Sequence, residues 1–286
     1  MIPEAVQTWL ENNDHGSVRS SRSVGGGCIN DGAILQTTSG ATFFLKTNRH
    51  TPPDMFALEA EGLVALRSTE GAPVVPEPYL HGSDFLLLED LAPAKRKTDY
   101  WENFGRQLAA LHNQTNPQFG FHHDNYIGST TQPNPWTEDG YAFFAQQRLL
   151  FQARLANERG LLHRSDVLRT EKLANRLREL VPAQPASLIH GDLWSGNATS
   201  DSRGEPAVID PAAHYGWAEA ELAMTALFGS FPGVFYHAYQ EVRELEPGFE
   251  DRYPVYNLYH LLNHLNLFGG GYLGQVQSIL NRYGAF

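Results

Sequence analysis

Apolar positions at Ile2, Val6, Trp9 and Leu10 recur at helical spacing, and Pro3 suits a first turn. The period then changes. Residues 17–24 read as a strand, Gly25-Gly26-Gly27 breaks it, and 33–37 resume β-type sequence. Ser39-Gly40 signals a turn before another short apolar strand at 42–46. Residues 55–66 return to helical spacing, with Phe56, Leu63 and Leu66 apolar and Glu59 and Glu61 between them. A connector with Pro73, Pro76 and Pro78 precedes two expected strands, 79–81 and 85–88. At Glu89-Asp90-Leu91-Ala92-Pro93 the pattern changes for good.

Beyond it the chain reads as mostly helical. Residues 100–112 place Trp101, Phe104, Leu108 and Leu111 at core spacing. A long loop, 113–140, is rich in Asn, Gly, Pro and aromatic residues, a composition that points to an ordered, functional loop. Helices are expected at 141–158 and 167–180, short strands at 187–189 and 207–209, and three or four helices over 219–286. The class is therefore α+β: a small β-rich lobe with one main helix over 1–91, then a larger helical lobe over 92–286. Such a pair of lobes holds a ligand in the cleft between them.

Composition narrows the function. The 286 residues are 42% hydrophobic and 19% charged, an ordinary globular balance. A net charge of −11 argues against a general nucleic-acid binder. The charge is uneven: residues 1–91 hold 12 acids and 5 bases, the remainder 20 and 16. A single cysteine excludes a disulfide framework and a Cys-rich zinc site. The 12 histidines show no paired metal-binding spacing. No apolar run approaches the ~18 residues of a membrane span. The first residues lack a basic stretch ahead of an apolar core, so no secretory signal is expected and the cytoplasm is the expected location.

The sharpest segment is Ile189-His190-Gly191-Asp192-Leu193-Trp194-Ser195-Gly196-Asn197, followed by Val208-Ile209-Asp210-Pro211. His-x-Asp-x-x-x-x-Asn with a later Asp after a short strand is the catalytic-loop arrangement of kinases. Phosphoryl transfer needs a carboxylate beside the attacking hydroxyl and oxygen ligands for Mg²⁺ on the nucleotide phosphates. Asp192 is read as the base, Asn197 and Asp210 as metal ligands. His190 is read as a structural residue that shapes the loop.

The N-terminal half supplies the complement. A kinase needs a glycine-rich turn over the phosphates, a lysine on a later strand and a glutamate on the next helix. Gly25, Gly26, Gly27 and Cys28 form the candidate turn, and Lys46 is the only lysine in the first 91 residues. Glu59 is preferred over Glu61 as its partner. The two lie nearly opposite around a helix, and Leu66 shares the face of Glu59 seven positions on. Glu89 and Leu91 would offer backbone groups to the adenine edge. Cys28 in a phosphate loop, where backbone amides lower a thiol pKa, is a candidate redox switch and the one route to a disulfide-linked dimer of an otherwise monomeric chain.

The motifs resemble the aminoglycoside-phosphotransferase-like branch of the protein-kinase fold. Within it HGDLWSGN, IDPAAHYGWAEAELAM, the FHHDNYIGSTTQPNPW loop, the FFAQQRLLFQ helix and YHLLNHLNLFGGGYL are similar to the fructosamine kinase (ketosamine-3-kinase) family. The resemblance implies an ATP- and Mg²⁺-dependent kinase acting on the O3 hydroxyl of a fructosamine or ribulosamine, free or protein-bound. The sugar 3-phosphate then eliminates and frees the amine. Trp217 and Ala218 replace the usual His-Arg, and Glu221 stands where Asp is common. The residues alone do not choose the sugar. Trp194 would stack on a sugar or aglycone face or pack in the core. Asn125, Tyr126, Asn263 and His264 are polar candidates for the substrate wall. An aminoglycoside- or choline-type kinase fits the same motifs. An inactive nucleotide-binding interaction module fits less well, because Lys46, Asp192, Asn197 and Asp210 are all intact.

Overall fold

The computed structural model describes residues 2–25 and 30–284. Gly26, Gly27 and Cys28 of the candidate phosphate turn lie outside the described residues. The architecture is α+β. Helix α1 (Glu4–Asn12) leads into β1 (Val18–Val24), β2 (Asp31–Thr37) and β3 (Thr42–Thr47). Helix α2 (Met55–Arg67), β4 (Pro78–His81) and β5 (Phe85–Glu89) follow. These strands form one antiparallel sheet in the order β1-β2-β3-β5-β4.

Period-two alternation explains how both faces of this sheet are covered. Leu35, Phe43, Leu45, Phe85 and Leu87 point to one side and pack with Val6 and Leu10 of α1. Leu86 and Leu88 point to the other and pack with Phe56, Ala60, Leu63 and Leu66 of α2. That is why 85–88 is apolar without a break. The polar edge strand β1 faces solvent. The core beneath α2 runs on into the helical part through Tyr100, Phe104, Leu108, Phe231 and Phe235.

The rest of the chain begins with α3 (Tyr100–His112) and β6 (Thr115–Asn116). The expected loop at 113–140 holds β6 and a small hairpin, β7 (Asn125–Ile127) and β8 (Thr130–Gln132). The single helix expected over 141–158 is three pieces: α4 (Gly140–Phe143), a π-helix (Phe144–Leu150) and α5 (Phe151–Glu158). Then come α6 (Arg164–Asn175), α7 (Leu177–Leu180), β9 (Ala186–Ile189), β10 (Ala198–Ser200), β11 (Pro206–Val208) and β12 (His214–Gly216). Helices α8 (Ala218–Leu227), α9 (Gly233–Gln240), α10 (Phe249–Phe268) and α11 (Leu273–Tyr283) close the chain, with a 3₁₀ turn at Gly270–Tyr272. Among the described residues no helix is long and apolar enough to cross a membrane.

Candidate active site

A cleft of about 770 Å³ runs between the sheet and the helical part. Gly25, Lys46, Glu59, Glu89, Leu91, Asn125, Tyr126, Asp192, Trp194, Asn197, Asp210 and His264 all line it. Its upper wall follows from strand pleating. Phe43 and Leu45 face α1, so Phe44 and Lys46 face the cleft, beside Gly32 and Ile34 of β2.

The Lys46 ammonium sits 2.5 Å from Glu59 Oε1 and 2.5 Å from Asp210 Oδ1. Burial alone would lower its pKa, but the charges of Asp210 and Glu59 outweigh burial and hold it above the ordinary lysine value. Glu61, two positions on, turns instead to His123 Nδ1 at 2.8 Å. At the hinge, Glu89 donates its N–H to Glu77 O, and its carboxylate accepts the Glu77 N–H at 3.2 Å.

The opposite wall is the 190–197 loop, stitched to residues 209–212 by backbone bonds. Ile209 N–H donates to Asn197 O and Ala212 N–H to His190 O. His190 Nδ1 accepts the Asp192 N–H at 3.3 Å, so the other ring nitrogen, Nε2, is the one that donates to Ile209 O at 2.9 Å. Both ring nitrogens are thus spent on shaping the loop, and burial holds this imidazole below its ordinary pKa. Gly191 has φ +83°, and a Cβ there would lie 2.2 Å from Ala212 O, so only glycine fits between His190 and Asp192. Asp210 itself takes a left-handed φ of 59°, which a short polar side chain tolerates.

Asn197 donates its side-chain amide to Asp192 O at 2.8 Å and to Asp192 Oδ2 at 3.2 Å. With the amide spent on the loop, the side-chain carbonyl oxygen is what Asn197 has to offer a cation. Burial, and then the charge of Asp210, push the Asp192 carboxyl well above the ordinary aspartate value. A carboxylate so disposed is a better proton acceptor than one in water. Together Lys46, Asp192, Asp210 and Asn197 set a fixed cation suited to nucleotide phosphates beside two carboxylates and an amide oxygen, hard donors suited to Mg²⁺.

The far end of the cleft is aromatic. The Trp194 ring meets Phe228 edge-on at 6.3 Å. Phe228 lies 4.5 Å from His264, which in turn lies 5.4 Å from Phe268 and 5.1 Å from Tyr272. His264 Nδ1 donates to His260 O. Tyr126 donates its hydroxyl to Asp54 Oδ1 at 2.9 Å. Asn125 is more committed: its amide donates to Ala213 O, while its oxygen accepts from Gln132 and Asn134. Asn263 Oδ1 accepts from Gln152 in the interior.

Several functional neighbours were not evident from the chain. Phe268 lies one helical turn beyond His264, a spacing that carries the signal, but Phe228 comes from a distant segment. Glu221 was noted in the sequence only as standing where Asp is common, and its place behind the loop was not read. Its buried carboxylate accepts the backbone N–H of His190 at 3.0 Å and of Gly191 at 2.6 Å, and His112 Nε2–H at 2.9 Å. His112 Nδ1 accepts the Tyr239 hydroxyl at 2.8 Å. The imidazole is neutral, held below its ordinary pKa by burial. Glu221 is ionised: burial would raise its pKa, but His112 and the loop amides hold it below the ordinary value.

The family model for fructosamine kinase matches residues 1–285. A Synechocystis protein named as a ketoamine kinase is 44% identical over 270 residues, 93% of this chain and 90% of its own. A rice protein (Oryza sativa subsp. indica) named protein-ribulosamine 3-kinase, chloroplastic, is 42% identical over 98% of this chain and 83% of its own. Among solved structures, a Thermobifida fusca chain named as a fructosamine-3-kinase superposes with a TM-score of 0.89 at 32% identity, covering 99% of both chains. The aminoglycoside phosphotransferase APH(4)-Ia, at 15% identity and a TM-score of 0.61 over 99% of this chain and 99% of its own, shares the fold. The family model over residues 1–285, with the match in sequence and in whole architecture, places this chain in the fructosamine kinase family.

Proposed function

We propose that this protein transfers the γ-phosphoryl group of ATP to the O3 hydroxyl of a ketosamine, a fructosamine or ribulosamine. Residues 1–91 act as the nucleotide lobe and 92–286 as the catalytic and substrate lobe. The observation that carries the reading is the Lys46 ammonium, paired with Glu59 and reaching across the cleft to Asp210 on the wall that holds Asp192 and Asn197.

In this reading Lys46, positioned by Glu59, pairs the α- and β-phosphates, and Glu89 and Leu91 meet the adenine edge with backbone groups. Gly25, with Gly26, Gly27 and Cys28, covers the phosphates. Asp192 orients the O3 hydroxyl and takes its proton as the new O–P bond forms and the bond to the β–γ bridging oxygen breaks, releasing ADP. Asn197 Oδ1 and the Asp210 carboxylate would hold Mg²⁺, which when bound neutralises phosphate charge. One carboxylate and one amide oxygen suit that ion, which takes few protein ligands and completes its shell with phosphates and water. The product 3-phosphate eliminates and frees the amine. Trp194 gives a flat apolar face to the sugar or aglycone, with His264, Tyr126 and Asn125 around it. A cytoplasmic, monomeric protein, open to a Cys28-linked dimer on oxidation, completes the proposal.

The test is ATP consumption with fructosyl-lysine, ribulosyl-lysine, free sugars and aminoglycosides, with Asp192→Asn as control. Turnover of a ketosamine that the variant abolishes is expected. Turnover of another alcohol alone would overturn the substrate assignment, and full activity in Asp192→Asn would overturn the base.

A further inference from the structure

Behind the Gly191 turn lies a small pocket of about 20 Å³ lined mainly by buried side chains. That is room for one particle a little larger than water. Arg148, His214, Tyr259, His260 and Glu221 line it, with the rings of Phe143 and Phe144. Of the buried polar atoms that lack a partner among the described residues, Arg148 Nε and His260 Nδ1 belong to side chains that line this space.

Arg148 is brought there by the π-helix Phe144–Leu150, a rare element that concentrates at functional sites. The residue is 1% exposed. Nη1 donates to Pro133 O at 2.6 Å and Gln147 O at 3.2 Å, and Nη2 to Asn134 Oδ1 at 2.6 Å. The guanidinium lies over the Phe143 ring at 4.4 Å and near that of Tyr259 at 5.6 Å. All of these partners are neutral. Burial lowers its pKa to about 10, so it stays charged at neutral pH.

The acids nearby do not neutralise it. Asp124 contributes to its field but accepts the Asn134 N–H and forms no ion pair with Arg148. Glu221 spends its carboxylate on His112 and the His190 and Gly191 amides. Burying a cation without an ionised partner is strongly unfavourable, so a counter-charge is called for. His214 Nδ1 is bonded to Ala212 O, Tyr259 donates to Gln132 and Tyr256 to Glu219, so the remaining side-chain donors of the lining are Arg148, His260 and the Trp217 indole, and of these Arg148 Nε and His260 Nδ1 are buried without a partner among the described residues. A neutral imidazole adopts the tautomer its neighbours require.

We infer that this cavity binds one small monovalent anion of the halide class, held by Arg148 Nε–H and a ring N–H of His260. Water would satisfy the same hydrogen bonds but bring no charge.

Wild-type crystals transferred to millimolar bromide, examined by anomalous scattering, are expected to show a bromide peak in the cavity. Thermal unfolding in chloride against gluconate at equal ionic strength is expected to show a higher Tm in chloride. That Tm rises by roughly 2–4 °C per tenfold chloride above the dissociation constant. Arg148→Met is expected to abolish the halide dependence, and His260→Phe to weaken it should Arg148→Met fail to fold. An ordered water without anomalous signal overturns the inference. So does a bromide peak seen only at molar concentration with equal Tm values in the two salts, which marks an adventitious ion only.

Discussion

The charged end of the cleft and its aromatic end are held in place differently. Lys46, Asp210, Asp192 and Asn197 are each fixed by directional bonds, and the loop beneath them is pinned by Glu221 from behind. Trp194, Phe228, His264, Phe268 and Tyr272 touch mainly ring to ring, and Phe268 is half exposed. Directional bonds to charged groups leave little freedom in where an atom sits, whereas ring contacts tolerate rotation and exchange. The first end suits chemistry that must be placed to a fraction of an ångström. The second suits recognition that can change while the chemistry stays.

The comparison breaks most readily at Asp192. Asp192→Asn keeps the size and a hydrogen-bonding partner for Asn197 but cannot accept a proton. We expect kcat to fall by about 10²–10⁴-fold with little change in KM for ATP or in Tm. Steady-state kinetics by coupled ADP release measures it. A loss confined to KM would mean that Asp192 binds rather than reacts.

Next in size is the support behind the loop. Glu221→Ala leaves two buried N–H groups and His112 without their acceptor. Losing a buried charged acceptor of several donors costs about 3 kcal/mol, and kcat should fall as the Asp192 turn loosens. Urea unfolding reads the first effect and kinetics the second. Unchanged stability would show that the charged end is not fixed from behind.

These dependencies set what the chain discloses. The five-stranded sheet and α2 were legible because alternation, Gly-Gly-Gly, Ser39-Gly40 and the proline connector mark them locally. Strands β6, β7, β8, β10 and β12 were not, since runs of two or three residues become strands only through distant partners. The π-helix escaped because a single widened turn leaves the apolar spacing of 141–158 nearly helical. In the site, fixed intervals placed Asp192, Asn197 and Asp210 together, and helix geometry separated Glu59 from Glu61. Glu221 and His112 lie 109 positions apart, and no local pattern announces a pair that only the packed helices bring to one loop.

A smaller effect, on stability and not on the cleft itself, is set by pH. His112, His190, His214 and His260 are buried with pKa values lowered by desolvation, to about 3 for His260. Their contribution is therefore fully present above the unfolded value near 6.5. As pH falls below that, the unfolded chain takes up protons that the folded imidazoles refuse, and stability declines toward each folded-state pKa. The slope is at most about 1.4 kcal/mol per pH unit for each such histidine. Urea unfolding at pH 7, 6 and 5 should show the decline, and His260→Phe should reduce it. A flat profile between pH 7 and 5 would mean that these imidazoles protonate without resistance.

Smallest, and most specific to the aromatic end, is Trp194→Ala. The indole lies over Gly196, where an added Cβ would sit 2.3 Å from the ring, and it meets Phe228 only edge-on. The ring thus leans on the loop surface without filling the core, and its removal should leave the backbone bonds of the loop in place. A stacking aromatic is worth about 0.5–1.5 kcal/mol, so KM for a ketosamine should rise roughly 2–13-fold with kcat and KM for ATP nearly unchanged. Trp194→Phe should recover much of the loss, because the flat face matters more than the indole nitrogen. A fall in Tm of several degrees with KM unchanged would instead make Trp194 a packing residue. The aromatic end would then be one more support of the charged end, and the contrast between the two would disappear.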